Sequence, residues 1–359
     1  MATQVQIAND PKRLAVVVFN LGGPDRLEAV EPFLFNLFHD PAIIGAPQPV
    51  RYLLAKLISK RRAPVAREIY AQIGGRSPLL EQTLQQADAL EERLRGTSAP
   101  RIRVFVCMRY WRPSSAETAA AVKEFDPDRI VLLPLYPQFS TTTTGSSLKD
   151  WERAANREGL NVPRHAVCCY PVEPGLIEAQ AGLTKAGLAL AREAGQPRVL
   201  FSAHGLPKKI IARGDPYQRQ VEMSVQAVVQ RLTADLGPID HAICYQSRVG
   251  PLEWIGPSTE QELARAASDR VPVVVVPIAF VSEHSETLVE LDVEYREKAK
   301  DLGVPAYVRV AAVGIADELV EGLAGLVLDA LSRGSTPCPR GGVRICPQAC
   351  SQCICDGVP

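Results

Sequence analysis

Six short apolar runs, rich in valine and isoleucine, alternate along the chain with longer segments of mixed polar and apolar residues. The runs are Leu14–Leu21, Ile102–Met108, Ile130–Leu135, Val199–Ala203, Ile239–Tyr245 and Val273–Ala279. Continuous apolar runs of this length are typical of strands that are buried on both faces of a parallel sheet. Helical spacing between them predicts helices, for example over Leu79–Arg95 and Tyr217–Leu236. The alternation predicts an α/β fold built from βαβ units.

The two halves of the chain resemble each other in their turns. The first strand of each half ends in a turn with glycine and proline, and the third strand of each carries a proline followed by a polar loop. This repeat predicts two similar doubly wound lobes with parallel sheets. We expect residues 1–172 in the first lobe, 173–332 in the second, including a helix over Ile315–Ser332, and a cysteine-rich tail at 333–359. Two such sheets facing each other leave a cleft at the carboxyl ends of their strands, where ligands usually bind.

Length and charge exclude several classes of protein. The 359 residues predict two domains at about 150 residues each. Forty Lys and Arg balance forty Asp and Glu, so the zero net charge argues against a nucleic-acid partner bound through bulk charge. No apolar run reaches the roughly 20 residues of a membrane-spanning helix. The first 14 residues are too polar for a secretory signal, so we expect a cytoplasmic protein.

Candidate chemistry in the second lobe begins at His204, directly after its first predicted strand. A neutral imidazole there can bind a metal or accept a proton, although a lone turn histidine often only bonds to the backbone. Five glutamates follow the strand at Val273–Ala279, spaced as one face of an α-helix: Glu283, Glu286, Glu290, Glu294 and Glu297. A solvated acidic face is the alternative, but like charges repel and no basic stripe matches them. The pattern indicates proton removal or a divalent cation, with Fe(II) suiting mixed imidazole and carboxylate ligands better than Mg(II).

The first lobe carries a second candidate cluster. Arg109 and Tyr110 follow its second strand, and Ser140 precedes four threonines after its third. Arginine beside aromatic rings can bind a flat anionic ligand through charge and stacking, although ordinary surface packing gives the same pattern. Trp254 is an aromatic residue that likewise follows a predicted strand, in the second lobe.

An apolar segment near the start of the chain has a basic edge. Phe33–Ile58 is dense in phenylalanine and leucine, and Lys60, Arg61 and Arg62 follow it. Such a segment indicates a patch that contacts a membrane surface or a mouth for an apolar ligand. Packing of an early helix into the core is the alternative.

Five segments taken together resemble the ferrochelatase family, whose members insert Fe(II) into protoporphyrin to form protohaem. They are Asn20–Pro24, Tyr136–Ser140, Ser202–Pro207, Tyr245–Pro251 and Phe280–Thr287, and the similarity extends from about Leu14 to Leu331. The resemblance implies two Rossmann-like lobes with a porphyrin cleft between them. It also implies protoporphyrin IX and ferrous iron as substrates. The apolar segment Phe33–Ile58 would be a hydrophobic lip that takes the porphyrin from the membrane, with the protein bound peripherally at the inner face of that membrane.

The resemblance also assigns roles to the candidate residues. It implies that His204 and Glu286 are the facing catalytic residues and Fe(II) ligands, and that Glu283 and Glu290 continue an acidic path. In the same way Arg109, Tyr110 and Ser140 line the porphyrin cleft, with Trp254 near it. The nearest rival is a related chelatase for another tetrapyrrole, either coproporphyrin or a cobalt-corrinoid precursor. A two-lobed binding protein without catalysis is a rival of another class, but it needs no acidic stripe facing a histidine.

Five of the nine cysteines lie near the end of the chain, four of them close together: Cys346, Cys350, Cys353 and Cys355. In a reducing compartment such clustering favours a metal site over disulfides. The compact run favours a [2Fe–2S] cluster over zinc, which usually takes two separated pairs. Some ferrochelatases carry such a cluster, with one ligand from the loop after the Tyr-Pro-Gln motif, but that loop reads Phe-Ser-Thr-Thr-Thr here, from Phe139 to Thr143, and contains no cysteine. Either the tail supplies all four ligands, with Cys338 in place of one of the four clustered cysteines, or no cluster is present.

The other cysteines, Cys107, Cys168, Cys169 and Cys244, are expected in the core.

Overall fold

Two four-stranded parallel sheets form the frame of the computed structural model, which describes residues 11–97, 99–247, 252–333 and 336–355. The first sheet has the order β2-β1-β3-β4 and the second has the order β6-β5-β7-β8. Their strands are β1 (Arg13–Asn20), β2 (Arg101–Met108), β3 (Arg129–Pro134), β4 (Arg164–Ala166), β5 (Arg198–His204), β6 (Asp240–Gln246), β7 (Val273–Pro277) and β8 (Tyr307–Arg309). The same order in both sheets confirms the two similar α/β lobes predicted from the repeat.

Eleven α-helices and one π-helix surround the sheets in the described part of the chain. The α-helices are α1 (Val30–Phe38), α2 (Gln48–Ala71), α3 (Leu79–Leu94), α4 (Ser115–Phe125), α5 (Thr144–Arg157), α6 (Pro174–Ala191), α7 (Lys208–Ala212), α8 (Tyr217–Leu236), α9 (Thr259–Asp269), α10 (Tyr295–Leu302) and α11 (Asp317–Ser332). The π-helix, Glu286–Glu294, leads directly into α10, and short 3₁₀ turns lie at Leu27–Ala29, Arg192–Ala194 and Arg340–Gly342.

All six predicted strands are present, and two short edge strands are added to them. Strands β4 and β8 have three residues each and mix polar with apolar side chains. An edge strand of this length is too short for a hydrophobic pattern to reveal it. The helices predicted over 79–95 and 217–236 are also present.

Each sheet is covered by helices on both faces, as its near-continuous apolar strands require. In the first lobe, Val17 and Phe19 pack against α4 and α5, while Val16 and Val18 face α3 and α11. In the second lobe, one sheet face packs against α6 and α8 and the other against α9 and α10.

Helix α11 packs in the core of the first lobe, although it follows the second lobe in sequence. Its buried face contributes Leu323, Leu326 and Val327 to the apolar cluster that contains Leu14 and Val16. The chain therefore returns to the first lobe after the second is complete. The division at residue 172 stays a prediction. Helix α11 was predicted as part of the second lobe, but it packs with the first.

Buried glutamines join the two lobes through polar contacts. Gln86 of α3 donates to the carbonyl oxygens of Gly314 at 2.8 Å and Val281 at 3.0 Å, and accepts from Ser282 Oγ. Gln138, after β3, donates to Ser224 Oγ of α8 at 2.8 Å. Because a buried amide is costly to leave without partners, these contacts specify how the lobes meet.

Candidate active site

His204 and Glu286 form the centre of the site in the second lobe. The neighbouring parallel strands β5 and β7 pair Ser202 with Pro277, so both chains leave the sheet at the same edge. His204 Nδ1 lies 2.8 Å from Glu286 Oε2, and the two side chains keep 35% and 29% of their surface exposed. Gly205 allows close approach here, because an added Cβ would lie 2.9 Å from the carbonyl oxygen of Gln246. The two residues predicted to face each other are in contact.

The pair shifts the pKa of each partner toward the charged form. Burial raises the pKa of Glu286, but the charge and hydrogen bond of His204 outweigh it and lower that pKa to about 2. Burial likewise lowers the pKa of His204, yet the Glu286 carboxylate outweighs it and raises that pKa above its usual value. The carboxylate of Glu286 therefore stabilises the protonated imidazole of His204. This makes the neutral imidazole a stronger proton acceptor.

The helix that carries Glu286 is a π-helix, not the α-helix that the glutamate spacing predicted. The backbone N–H of Tyr295 donates to the carbonyl oxygen of Glu290, five residues earlier. Glu290 turns toward the end of β6, where it accepts from Ser247 N at 2.8 Å and from Gln246 Nε2 at 3.2 Å. Burial, and then the charge of Glu286, raise the pKa of Glu290. Glu286 and Glu290 therefore form two neighbouring carboxylates of opposite pKa shift.

Glu283 is held by basic and backbone donors. It precedes the π-helix and accepts from Arg309 Nη1 at 2.6 Å, from Ala312 N at 2.9 Å and from the Thr287 hydroxyl. Glu294 and Glu297, the last members of the predicted stripe, are exposed. The five glutamates thus occupy four environments.

Three further side chains surround the pair, and sequence reasoning gave two of them no role. Trp254 packs edge-on to His204, with ring centroids 6.4 Å apart. The buried Tyr70 hydroxyl of α2 bonds to Ser285, beside Glu286. His284 Nδ1 accepts from Glu286 N at 3.0 Å. No pattern singles out Tyr70, whereas His284 lies within the Phe280–Thr287 motif. Of the Tyr245–Pro251 motif, residues 248–251 lie outside the described residues.

The first-lobe candidates converge on buried aspartates. Arg109 Nη2 and the Tyr110 hydroxyl each donate to Asp40 Oδ2 at 2.8 Å. Ser140 Oγ donates to Asp215 Oδ2 at 3.0 Å. Tyr110 and Ser140 are buried, whereas Arg109 lines an open cavity. The aspartates that hold these side chains are distant in sequence, which is why the motifs did not reveal them.

The apolar segment that was predicted as a lip spans α1 and much of α2, and its two helices differ in exposure. Phe33 and Leu34 of α1 are buried against α2, whereas Leu53 and Leu57 of α2 are exposed, Leu53 by 66%. Among the described residues, no helix is both long and apolar enough to cross a membrane.

The cysteine tail packs beside two cysteines of the first lobe. Cys168 and Cys169 share a buried cluster with Cys338, Cys353 and Cys355. Gln220 of α8 donates to the sulfur atoms of Cys169 at 3.3 Å and of Cys346 at 3.1 Å. All four predicted core cysteines are buried, but Cys168 and Cys169 also contact the tail, a convergence that spacing along the chain could not show.

The thiols of this group lie in pairs. The Sγ atoms of Cys338 and Cys355 are 2.7 Å apart, and those of Cys168 and Cys169 are 3.5 Å apart. A bond to Cys353, followed by burial, raises the pKa of Cys346. In the described part of the chain, no three His, Cys, Asp or Glu side chains are arranged to hold a metal ion.

Comparison with known proteins identifies the family. The ferrochelatase family model matches residues 13–331. The chain is 54% identical to a ferrochelatase of Phenylobacterium zucineum, over 96% of this chain and 98% of the relative, and 53% identical to one of Caulobacter vibrioides, over 90% and 91%.

Solved structures support the fold alone. SirB from Bacillus subtilis with Fe3+ superimposes with a TM-score of 0.53 at 11% identity, covering 89% of this chain and 96% of that one. Both the family model and the close relatives extend over nearly the whole chain, and the chain therefore belongs to the ferrochelatase family.

Proposed function

We propose that the chain inserts Fe(II) into protoporphyrin IX, with His204 and Glu286 as the pair that binds the iron and accepts the pyrrole protons. As a member of its family the chain is a metal chelatase, a lyase of haem biosynthesis. The 2.8 Å contact between the two side chains, at a partly exposed strand edge, is the observation that carries the proposal. The reaction joins one ferrous ion to the porphyrin and releases two protons.

The hydrogen bond decides which nitrogen of His204 reacts. Because Nδ1 bonds to Glu286, the neutral imidazole carries its proton there and presents Nε2 as the acceptor. When Nε2 takes a pyrrole proton, the adjacent carboxylate stabilises the imidazolium. Glu290, whose pKa is raised, is the next acceptor along the π-helix and can pass the second proton outward.

The other candidate residues bind and position the porphyrin in this proposal. Trp254 stands edge-on to His204 and limits how the macrocycle can tilt. Arg109 attracts the porphyrin carboxylates, while Tyr110 and Ser140, buried behind it, hold the aspartates that shape the cleft wall. Glu283 is bonded to Arg309 and fixes the start of the π-helix, so we place it in a supporting role.

Contact with a membrane surface supplies the porphyrin in this proposal. Leu53 and Leu57 are exposed on α2, and the exposed Lys60, Arg61 and Arg62 follow on the same helix. Apolar side chains beside basic ones suit an anionic lipid surface.

A [2Fe–2S] cluster bound by the tail cysteines is part of the proposal. Each iron of such a cluster takes two protein ligands, so paired thiols fit it although no triad surrounds a single ion. Cys346, Cys353 and Cys355 supply three of the ligands, because their thiols contact other thiols of the group. Cys168, Cys169 or Cys338 is the fourth, because the thiols of these residues also contact thiols of the group. Each takes the place of Cys350, whose thiol has no such bond within the described part of the chain. When bound, the cluster supplies a redox-active iron centre that ties the tail to the core.

The first test follows the Soret band after Fe(II) and protoporphyrin IX are added anaerobically to wild type and to His204→Ala. We expect wild type to form haem and His204→Ala to lose at least about 100-fold in kcat, since a general base contributes roughly that much. His241→Ala, at an exposed histidine of β6, is the matched control and should keep full activity. Near wild-type insertion by His204→Ala would defeat the assignment. Faster metallation of coproporphyrin, or of Co(II), would favour the rival chelatases.

The second test measures the pKa of His204 by NMR titration of the histidine-labelled full chain. The chain has five histidines, so the signal that is absent from His204→Ala identifies it. Glu286→Gln removes the carboxylate that raises this pKa, so the titration should move to lower pH. An unchanged or higher pKa in Glu286→Gln would contradict the electrostatic coupling.

The third test concerns the exposed face of α2. Replacing Leu53 and Leu57 together by serine removes apolar area from that face, so binding to vesicles that contain anionic lipids should weaken in flotation assays. Leu190→Ser, at an equally exposed leucine of α6, is the control and should bind as wild type does. Equal binding by all three proteins would exclude α2 as the contact.

The fourth test examines the cluster in anaerobically purified protein. The wild-type preparation should be coloured and contain two iron atoms per chain as isolated, given the stoichiometry of such a cluster. Cys346→Ser, Cys353→Ser and Cys355→Ser should each lose the visible absorption, while Cys107→Ser and Cys244→Ser, at core thiols distant from the group, should keep it. Comparison of Cys168→Ser, Cys169→Ser, Cys338→Ser and Cys350→Ser identifies the fourth ligand. A colourless wild type without bound iron would exclude the cluster.

A further inference from the structure

We infer that the chain has a second binding site, a pocket for a small multivalent oxyanion between the first lobe and the segment that follows His204. The cavity measures about 510 Å³. Its lining includes Arg109, Lys149 and Arg153 of the first lobe, Arg213 after α7 and Gln352 of the tail. Neither His204 nor Glu286 lines it. Arg109 is already assigned to the porphyrin, so the inference rests on Lys149, Arg153 and Arg213, to which the proposed function gives no role.

The pocket contains more positive than negative charge. Asp40 is the one carboxylate among its lining residues, and its Oδ2 already accepts from Arg109, Tyr110 and Ser146. Lys149, Arg153 and Arg213 have no carboxylate within 4.0 Å in the described part of the chain. Three cations around one cavity therefore lack a protein counter-charge.

Nearby acids do not neutralise the three cations. Asp150 accepts from Ser115 Oγ at 2.7 Å and lies 3.7 Å from Arg109 Nη1. Asp215 is buried behind the pocket and accepts from Thr141 N at 2.8 Å and from Ser140 Oγ. An adjoining cavity shares Asp40, Arg109 and Arg153. It adds one cation, Arg51, and one carboxylate, Asp150, so the unpaired positive charge is concentrated in the first pocket.

The arrangement of the cations selects a multivalent ligand. Lys149 and Arg153 are one turn apart on α5, and Arg213 approaches from the second lobe. Like charges that share a cleft raise its positive potential, and an anion that reaches all three relieves their repulsion. Guanidinium groups bond to carboxylate and phosphate oxygens alike, and the Gln352 side chain adds an uncharged amide. A compact ion with two or three oxyanion groups matches this set.

The tail forms part of the pocket wall. Gln352 N donates to the carbonyl oxygen of Gly214 at 3.1 Å, and Ser351 Oγ donates to that of Arg213 at 3.3 Å. An anion held between Arg213 and α5 therefore also contacts the segment that lies between Cys350 and Cys353. We expect the bound anion to stabilise this segment.

Calorimetric titration of the full chain with pyrophosphate, citrate and acetate at constant ionic strength tests the inference. Pyrophosphate, citrate or both should bind, and acetate should bind at least about tenfold more weakly because it reaches fewer cations. Arg153→Ala and Arg213→Ala should each weaken binding about tenfold, as expected for loss of one charge-assisted contact. Arg157→Ala, at an exposed arginine one turn further along α5 and outside the pocket, should leave affinity unchanged.

The possible results separate clearly. Binding of pyrophosphate alone assigns a phosphate ligand, and binding of citrate alone assigns a polycarboxylate. No heat with either probe overturns the inference, as does equal weakening by Arg157→Ala and Arg153→Ala, which indicates diffuse attraction. Competition between protoporphyrin IX and the bound anion, together with a raised KM for porphyrin in Arg153→Ala, also overturns it, because the cations then belong to the porphyrin site. Failure of haem formation with intact anion binding would count only against the proposed function.

Discussion

Parallel pairing of β5 with β7 is the constraint on which the candidate site depends. It brings His204 and the loop after Pro277 to one edge of the second sheet, so Glu286 can return to within 2.8 Å of the imidazole. Strand β6, paired on the other side of β5, adds Gln246 and Ser247, which bind Glu290. Three strand ends thus determine the positions of one base and two carboxylates. The apolar interior of the sheet fixes the register of these strands, and buried Ser202 and Gln246 at their ends are joined by a 2.8 Å hydrogen bond.

The π-helix divides glutamates that look equivalent in sequence. Regular α-helical spacing would place five like charges on one face, which is electrostatically unfavourable. In the structure Arg309 neutralises Glu283, His204 pairs with Glu286, and Glu294 is exposed to water. Among the described residues, Glu290 lies close to Glu286 and has no ion pair with a basic side chain, and burial together with the Glu286 charge raises its pKa. The glutamates of the predicted stripe therefore have different partners and different exposure, and they do not form one repulsive face.

The sequence predicted what local pattern determines and missed what long-range packing determines. Apolar runs identified six strands, because a strand buried on both faces must be apolar throughout. The motif after β7 placed Glu286 opposite His204, because neighbouring parallel strands share an edge. The helical spacing of apolar residues predicts which face of α11 is buried, but it does not indicate which lobe covers that face. Likewise, no spacing rule connects Tyr110 with Asp40 or Cys169 with Cys346, because each pair meets only after the chain has folded.

The tail is connected to the loop after the Tyr-Pro-Gln motif through one side chain. Gln220 Oε1 accepts from Phe139 N at 2.7 Å, while its Nε2 donates to the sulfur atoms of Cys169 and Cys346. Because Gln220 is fully buried on α8, it links a first-lobe loop, a second-lobe helix and the tail. Arg340 adds a second attachment, an ion pair with the buried Glu173 at the start of α6. The tail is thus attached to both lobes through buried polar side chains, although local spacing in the sequence gives no sign of either attachment.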